Sequence, residues 1–242
     1  MKNLLALLQH ERNHMQEKTL NEAASENRSL YQNACSLSGQ GNWDQAIAQF
    51  NLVLVQEPGL VECREALRKA QLARFQKRNG FAHAIDEVRE LPELAEAEIY
   101  LHSKPLKAMN TAELALNRIP TSLLAHKIFA EAALKNGLFR SASLSLEYIR
   151  KHGGTEDIDV NLELANALAE SGQVSRGLTI CGRLLKENPE NRRVTRTLER
   201  LSKLAFGAMD TPRCVPRSRP TLQRQSASTY PSNRLSGIRT NK

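Results

Sequence analysis

The residues with the clearest catalytic spacing are His10, Glu11 and His14, which form a literal H-E-x-x-H string. On a helix, two such histidines share one face and can bind zinc, and the glutamate can act as the general base of a metalloprotease. A third ligand would have to come from Glu22, which lies about 12 Å beyond His14 along a continuous helix. Zinc ligands lie within about 2.0–2.3 Å of the metal. We therefore interpret the string as a coincidental surface pair without a zinc site.

The other histidines and the cysteines share no spacing that is typical of a metal or nucleophile site. A glycine-rich phosphate loop and a G-x-S-x-G elbow are also absent from the sequence. The scattered residues are His83, His102, His126 and His152, together with Cys35, Cys63, Cys181 and Cys214. The sequence therefore predicts a protein that is not an enzyme and that needs no cofactor or metal.

Composition and hydrophobic runs indicate the fold class. The 242 residues are 40% hydrophobic and 25% charged, aromatic residues make up 5%, and alternating strand patterns are almost absent. The apolar run Leu4–Leu8 is shorter than the roughly 7–15 residues of a signal peptide. No run reaches the roughly 18 apolar residues that span a bilayer. We expect an all-α cytoplasmic protein without membrane association.

A small residue recurs in the same local setting at four places. Glycine or serine lies five residues before it, a residue of the same helix face lies four after it, and proline lies twelve after it in three cases. These markers are Ala46, Ala108, Ala142 and Gly177. The last two intervals between them are 34 and 35 residues. A fixed period of this size is typical of helical repeat proteins.

Each part of the pattern has a mechanical reason. Glycine ends a first helix in a left-handed conformation, and the marker faces that helix where the two cross most closely. Proline cannot continue the second helix. In the first helices, the inward positions are expected twelve and nine residues before each marker. They are Ala34, Ala130 and Ala165, and Leu37, Ile99, Ala133 and Leu168.

With these features the chain resembles the tetratricopeptide repeat, a helix–turn–helix unit of 34 residues with an A-x3-F…P signature. The closest match lies within residues 27–60, which contain GNWDQAIAQFNLVLVQEP. The resemblance covers about 27–205 and implies a right-handed all-α solenoid. The predicted helix pairs are 27–58, 61–90 (irregular), 92–119, 123–151 and 158–188, followed by a capping helix over 190–205. We expect residues 1–26 to form an amphipathic or loose helix and residues 206–242 to be a disordered basic tail.

The resemblance also implies a function. In such solenoids the first helix of each pair lines a concave groove, which holds a peptide or a helix of another protein. The groove residues predicted here are Tyr31, Cys35, Tyr100, Leu124, Lys127, Glu131, Leu162 and Asn166. We therefore expect a non-catalytic interaction scaffold whose partner is a protein that the sequence does not identify.

The charge distribution supports one alternative function. Residues 207–242 contain seven basic residues and one acid, a net +6, so only +2 of the chain's net charge of +8 belongs to residues 1–206. A basic segment of this kind can bind nucleic acid or another anionic surface by releasing counterions. An adaptor that binds nucleic acid through its tail is therefore the second hypothesis.

Overall fold

The computed structural model describes residues 16–77, 80–153 and 157–209, with side chains for 16–77, 92–153 and 157–206. After a 3-10 turn at Leu20–Glu22, ten α-helices follow one another within these residues. They are α1 (Ser25–Gly39), α2 (Trp43–Gln56), α3 (Val61–Lys77), α4 (Gly80–Ser103), α5 (Pro105–Arg118), α6 (Leu123–Lys135), α7 (Phe139–His152), α8 (Ile158–Glu170), α9 (Val174–Glu187) and α10 (Arg192–Met209). The described residues contain no β-strand, and a single bridge pairs Lys18 with Leu60. The predicted all-α fold is confirmed.

Three turns within helix pairs carry the glycine that the sequence predicts. Gly41, Gly137 and Gly172 have φ angles of 82°, 75° and 83°, a left-handed conformation that disfavours side chains with a Cβ. Each glycine lies just after a first helix, where its conformation reverses the chain into the second helix.

The small markers lie where the helices of a pair cross. Ala46, Ala108 and Ala142 are completely buried. At Gly177, an added Cβ would lie 2.7 Å from the carbonyl oxygen of Ala165 on the preceding helix, so no larger residue fits without a shift. The resemblance to the tetratricopeptide repeat is thereby confirmed at the level of the fold.

The region between residues 80 and 119 differs from the predicted units. Helix α4 runs without interruption across the expected boundary at residue 90, with Pro92 inside it. The α4–α5 connection is the single residue Lys104, whereas three residues connect the helices of the other pairs. The shorter turn shifts the inward face of α4 by two residues. The prediction that Ile99 faces inward is therefore wrong: Ile99 is 73% exposed, and Leu101 is buried in its place.

Helix α3 has an unusual position. It packs against α2 and α1 and also reaches α5 and α7, whereas α4, the next helix in the chain, packs extensively against α5 and α6. The predicted pair 61–90 is therefore not a regular hairpin. Helices α1–α3 share one core, which includes Phe50 and Leu67. The later helices form two further cores, centred on residues such as Phe129 and Leu168.

Helix α10 packs on α9 and α8 and ends the described chain. It continues to Met209, four residues beyond the expected end of the capping helix. None of the described helices is long and apolar enough to cross a membrane. The H-E-x-x-H string lies outside the described residues, and so does the basic tail beyond Met209.

Candidate functional site

The first helices of the last two pairs, α6 and α8, and the terminal helix α10 expose a mixture of apolar and charged side chains. We call this surface the first-helix face. On α6 it presents Leu124, which is 47% exposed, together with Lys127 and Glu131. The Glu131 carboxylate pairs with Lys135 one turn later at 2.9 Å. Both side chains of this pair are partly exposed, so the pair contributes little to folding.

A cleft of about 260 Å³ opens between α8 and α10 on this face. Its walls contain both signs of charge, a hydroxyl and an amide. They are formed by Asp159, Leu162, Glu163, Asn166, Arg193, Arg196 and Thr197. Two hydrogen bonds join α8 and α10: Arg193 donates to the Asp159 carboxylate, and Arg200 donates to the side-chain oxygen Oδ1 of Asn166, each at 2.5 Å. The cleft therefore offers donors and acceptors that a bound main chain or polar side chain could share.

The carboxylate of Glu163 on α8 interacts with the charges of Lys127 and Glu131 on α6. Burial raises the pKa of Glu163, the nearby Glu131 raises it further, and Lys127 opposes the shift. Glu163 makes no ion pair with any residue that the structure describes. Lys127 on α6 therefore compensates the charge of Glu163 in part, without a direct ion pair.

Five predicted groove residues lie on or beside this face, but one of them is not accessible. Leu124, Lys127, Glu131 and Asn166 are at least partly exposed. Leu162 is only 4% exposed, because it packs into the core that α8 shares with its neighbouring helices and only a small part of it reaches the cleft. The expectation that Leu162 is an exposed groove position is wrong.

The remaining predicted groove residues lie elsewhere. Tyr31 and Cys35 belong to α1, whose extensive contacts are with α2 and α3. The Tyr31 ring packs against Phe50 with centroids 5.9 Å apart, and burial, followed by a hydrogen bond with Cys35, raises the pKa of Tyr31 to about 12. Tyr100 on α4 is covered by Lys107, whose ammonium lies 3.8 Å from the ring centroid. None of these three residues lies on α6, α8 or α10, but Tyr100 belongs to the helix that packs against α6.

Ile99 is an exposed apolar residue that sequence reasoning assigned to the core. After the two-residue shift, Ile99 occupies the place on α4 that corresponds to Glu131 on α6. The signal that could have identified it is Lys104-Pro105, since proline favours the first position of a helix and leaves no room for the usual turn glycine.

A buried ionic network joins the α1–α3 unit to the later pairs. The Glu113 carboxylate on α5 accepts hydrogen bonds from Arg64 at 2.8 Å and from Arg68 at 3.0 Å, and both arginines lie on α3. Their guanidinium carbons lie 4.9 and 5.2 Å from the centroid of the Phe129 ring on α6. Burial alone would raise the pKa of Glu113, but Arg68 and Arg64 outweigh it and lower the pKa to about 2. The carboxylate is therefore ionised at neutral pH.

His126 is the one buried histidine of the described residues, and its ring is fully engaged. Its Nε2 lies 3.0 Å from the Pro120 carbonyl oxygen, and its Nδ1 lies 3.1 Å from the Ser145 hydroxyl. Because a carbonyl only accepts, Nε2 carries the proton and Nδ1 accepts from Ser145. Burial, followed by the Arg68 charge, lowers the pKa of His126 to about 3. His126 is a neutral packing residue, and the described residues contain no group of three or more potential metal ligands.

Comparisons with known proteins give similarity to solved structures alone. No protein-family model matches the chain, and no curated protein matches it. Among solved structures, MamA (MSR-1) is 12% identical over 76% of this chain and 89% of its own, with a TM-score of 0.40. TTC0263, a thermophilic TPR protein in Thermus thermophilus, is 16% identical over 74% of this chain and 99% of its own, with a TM-score of 0.38. These superpositions are loose, so the fold assignment rests on the helix pairs of the chain itself.

Proposed function

We propose that the protein is a non-catalytic scaffold that binds a segment of another protein on the first-helix face of α6, α8 and α10. The observation that carries the proposal is the α8–α10 cleft of about 260 Å³. The first helix of the preceding pair, α6, also exposes Leu124. An apolar anchor next to groups of both charge signs suits an extended peptide or an amphipathic helix laid across the helices. This role requires neither a cofactor nor a metal.

The role proposed for each residue of this face follows from its exposure and its charge. Leu124 supplies apolar area that a partner side chain can bury, and buried anchors carry most of the energy in protein interfaces. Glu163 and Lys127 supply opposite charges that select the orientation of the partner. Asn166 and Thr197 in the cleft can pair with main-chain groups.

A peptide selection tests the proposal. Random dodecapeptides displayed on phage are selected on the immobilised full chain, and the affinity of the selected peptides is measured by fluorescence anisotropy. We expect Leu124→Asp to weaken binding by about tenfold or more, because it places a charge where an apolar anchor should be buried.

The matched control is Leu52→Asp on α2, where the leucine is 55% exposed on a second helix. This variant should keep the affinity of the unaltered chain. Equal affinity of both variants, or loss with Leu52→Asp alone, would contradict the proposed location.

A further inference from the structure

A second groove lies between α3 and α7, away from the first-helix face. It contains a cavity of about 310 Å³. Apolar groups and the Tyr148 ring form its walls, and charged side chains stand at its edge. The lining residues are Glu65, Arg68, Lys69, Leu72, Pro120, His126, Leu144 and Tyr148. Helix α4, which would cover α3 in a regular hairpin, packs extensively on α5 and α6 instead.

The chain before α1 is fixed at one end of this groove. The Lys18 amide donates to the Gly59 carbonyl oxygen at 3.0 Å, and the Gln16 carbonyl approaches Gly59 so closely that a Cβ there would lie 2.2 Å away. The Glu17 carboxylate accepts hydrogen bonds from the amides of Arg140 and Ser141, at the start of α7. Gln16 is therefore held where α3 and α7 both begin.

A second cavity of about 250 Å³ connects this end to the apolar groove. It is lined by Val61, Glu65, Arg140, Ser143, Leu144, Glu147, Gln173 and Arg176. Two of these residues, Glu65 and Leu144, also line the apolar cavity. A chain that leaves Gln16 along the groove thus meets charged side chains first and the apolar walls afterwards.

In the sequence before Gln16, charged and apolar residues follow one another in the same order as the charged and apolar parts of the groove. Counting back from Gln16, the polar residues Glu11 and Arg12 come first, and the apolar run Leu4–Leu8 lies eight to twelve residues away. In a helix, eight to twelve residues span about 12–18 Å. Arg68 and Leu72 lie seven and eleven residues past Val61, which is about 10–16 Å along α3. The apolar run therefore matches the apolar cavity in distance.

We propose that Leu4–Leu8 packs into the groove between α3 and α7, against the apolar walls of the 310 Å³ cavity. Glu11 and Arg12 then face the charged end, where Arg140 and Glu147 supply opposite charges. This interaction is intramolecular and independent of the proposed partner-binding face, because the cavity between α3 and α7 shares no lining residue with the α8–α10 cleft and does not include Leu124, Lys127 or Glu131.

Photo-cross-linking in the full chain tests this proposal. Photoreactive benzoylphenylalanine is placed at position 7, and the cross-linked peptides are identified by mass spectrometry. We expect intramolecular cross-links to peptides that contain Leu72, Leu144 or Tyr148, with a yield that does not change on dilution. The same probe at position 221 should give no cross-link to these peptides. Cross-links to another surface, cross-linked dimers, or no cross-link from position 7 would overturn the proposal.

Two sets of variants then test the groove itself. Leu144→Asp should lower the yield of the cross-link by about tenfold, whereas Leu124→Asp on the first-helix face should leave it unchanged. If Leu144→Asp loses its helical circular dichroism, Leu4→Asp combined with Leu8→Asp provides the test without altering any described helix. An unchanged yield in the folded Leu144→Asp protein or in the double variant would also overturn the proposal.

Discussion

Glu17 Oε1 accepts a hydrogen bond from the Ser141 amide at 2.8 Å, across 124 residues of the chain. Its other oxygen accepts from the Arg140 amide at 2.9 Å. The N-cap residue of α7 is Leu138, whose side chain has no acceptor for these amides. A carboxylate from a segment far away in the sequence thus performs the capping that a local Ser or Asp would usually perform, and it also interacts favourably with the helix dipole.

The first prediction concerns this remote cap. Glu17→Ala should lower the free energy of unfolding by about 0.5–2 kcal/mol, because two amides at the start of α7 lose their acceptor. Urea unfolding of the full chain followed by circular dichroism measures the change. Glu98→Ala, an exposed position within α4, is the control and should change stability little. Equal stability of the two variants would show that the cap contributes nothing.

The second prediction concerns the buried pair of Arg64 and Glu113. Removing one partner of a buried ion pair leaves an uncompensated charge, so Glu113→Gln should cost about 3–5 kcal/mol at neutral pH. The pair of Glu131 and Lys135 is partly exposed, and Glu131→Gln should cost no more than about 1 kcal/mol. A similar loss in both variants, measured by urea unfolding, would contradict the assigned importance of the buried network.

Because of Glu113, the stability of the folded protein should decrease as the pH falls. The pKa of Glu113 is lowered to about 2 in the folded protein, so the unfolded chain takes up its proton at higher pH. The stabilisation by this carboxylate is therefore complete above the ordinary glutamate pKa of about 4.3 and is lost as the pH falls towards 2. Between these values the stability of Glu113→Gln should fall less steeply with decreasing pH than that of the unaltered chain.

Local sequence rules predict the parts of the fold that short-range geometry determines. Gly41, Gly137 and Gly172 are recognisable because a left-handed residue is needed after each first helix. The exception at Ile99 arises because one residue, Lys104, replaces the three-residue turn. Patterns of fixed offset assume a constant turn length, so they assign the wrong face wherever that length changes.

The fourth prediction tests the helix-crossing markers. Ala46→Leu should cost about 1–3 kcal/mol, because the completely buried Ala46 faces α1 where extra methyl groups cannot be accommodated. Ala48, two residues later on the same helix, is exposed, and Ala48→Leu should change stability by less than about 0.5 kcal/mol. Urea unfolding provides both values, and equal stability of the two variants would show that the phase of the repeat is misassigned.

The candidate site is less predictable than the fold, because contacts between distant segments decide which groove positions remain accessible. Leu162 has the position of an exposed groove residue, but it packs into the core that α8 shares with its neighbouring helices. In the sequence, Arg64 lies among polar residues, a pattern that is typical of a solvent-exposed helix face. In the structure Arg64 is only 2% exposed, because Glu113 and the Phe129 ring lie against it. No local pattern contains the information that these residues meet.

The last prediction separates the two hypotheses of function. Deleting residues 210–242 removes a net charge of +6 but none of the first-helix face. If the face binds the partner, the affinity for a selected peptide should stay within about threefold, or roughly 0.7 kcal/mol, and should depend weakly on salt. Lys127→Glu combined with Glu131→Lys should weaken binding more than this deletion does. Because it preserves net charge, the double variant tests local complementarity, and Lys186→Glu with Glu187→Lys on α9 is the matched control. Binding through the tail would give the reverse result: truncation would abolish binding, the α6 variant would bind normally, and affinity would fall steeply with salt because bound phosphates release counterions. That outcome would replace the scaffold with an adaptor for nucleic acid or another anionic surface.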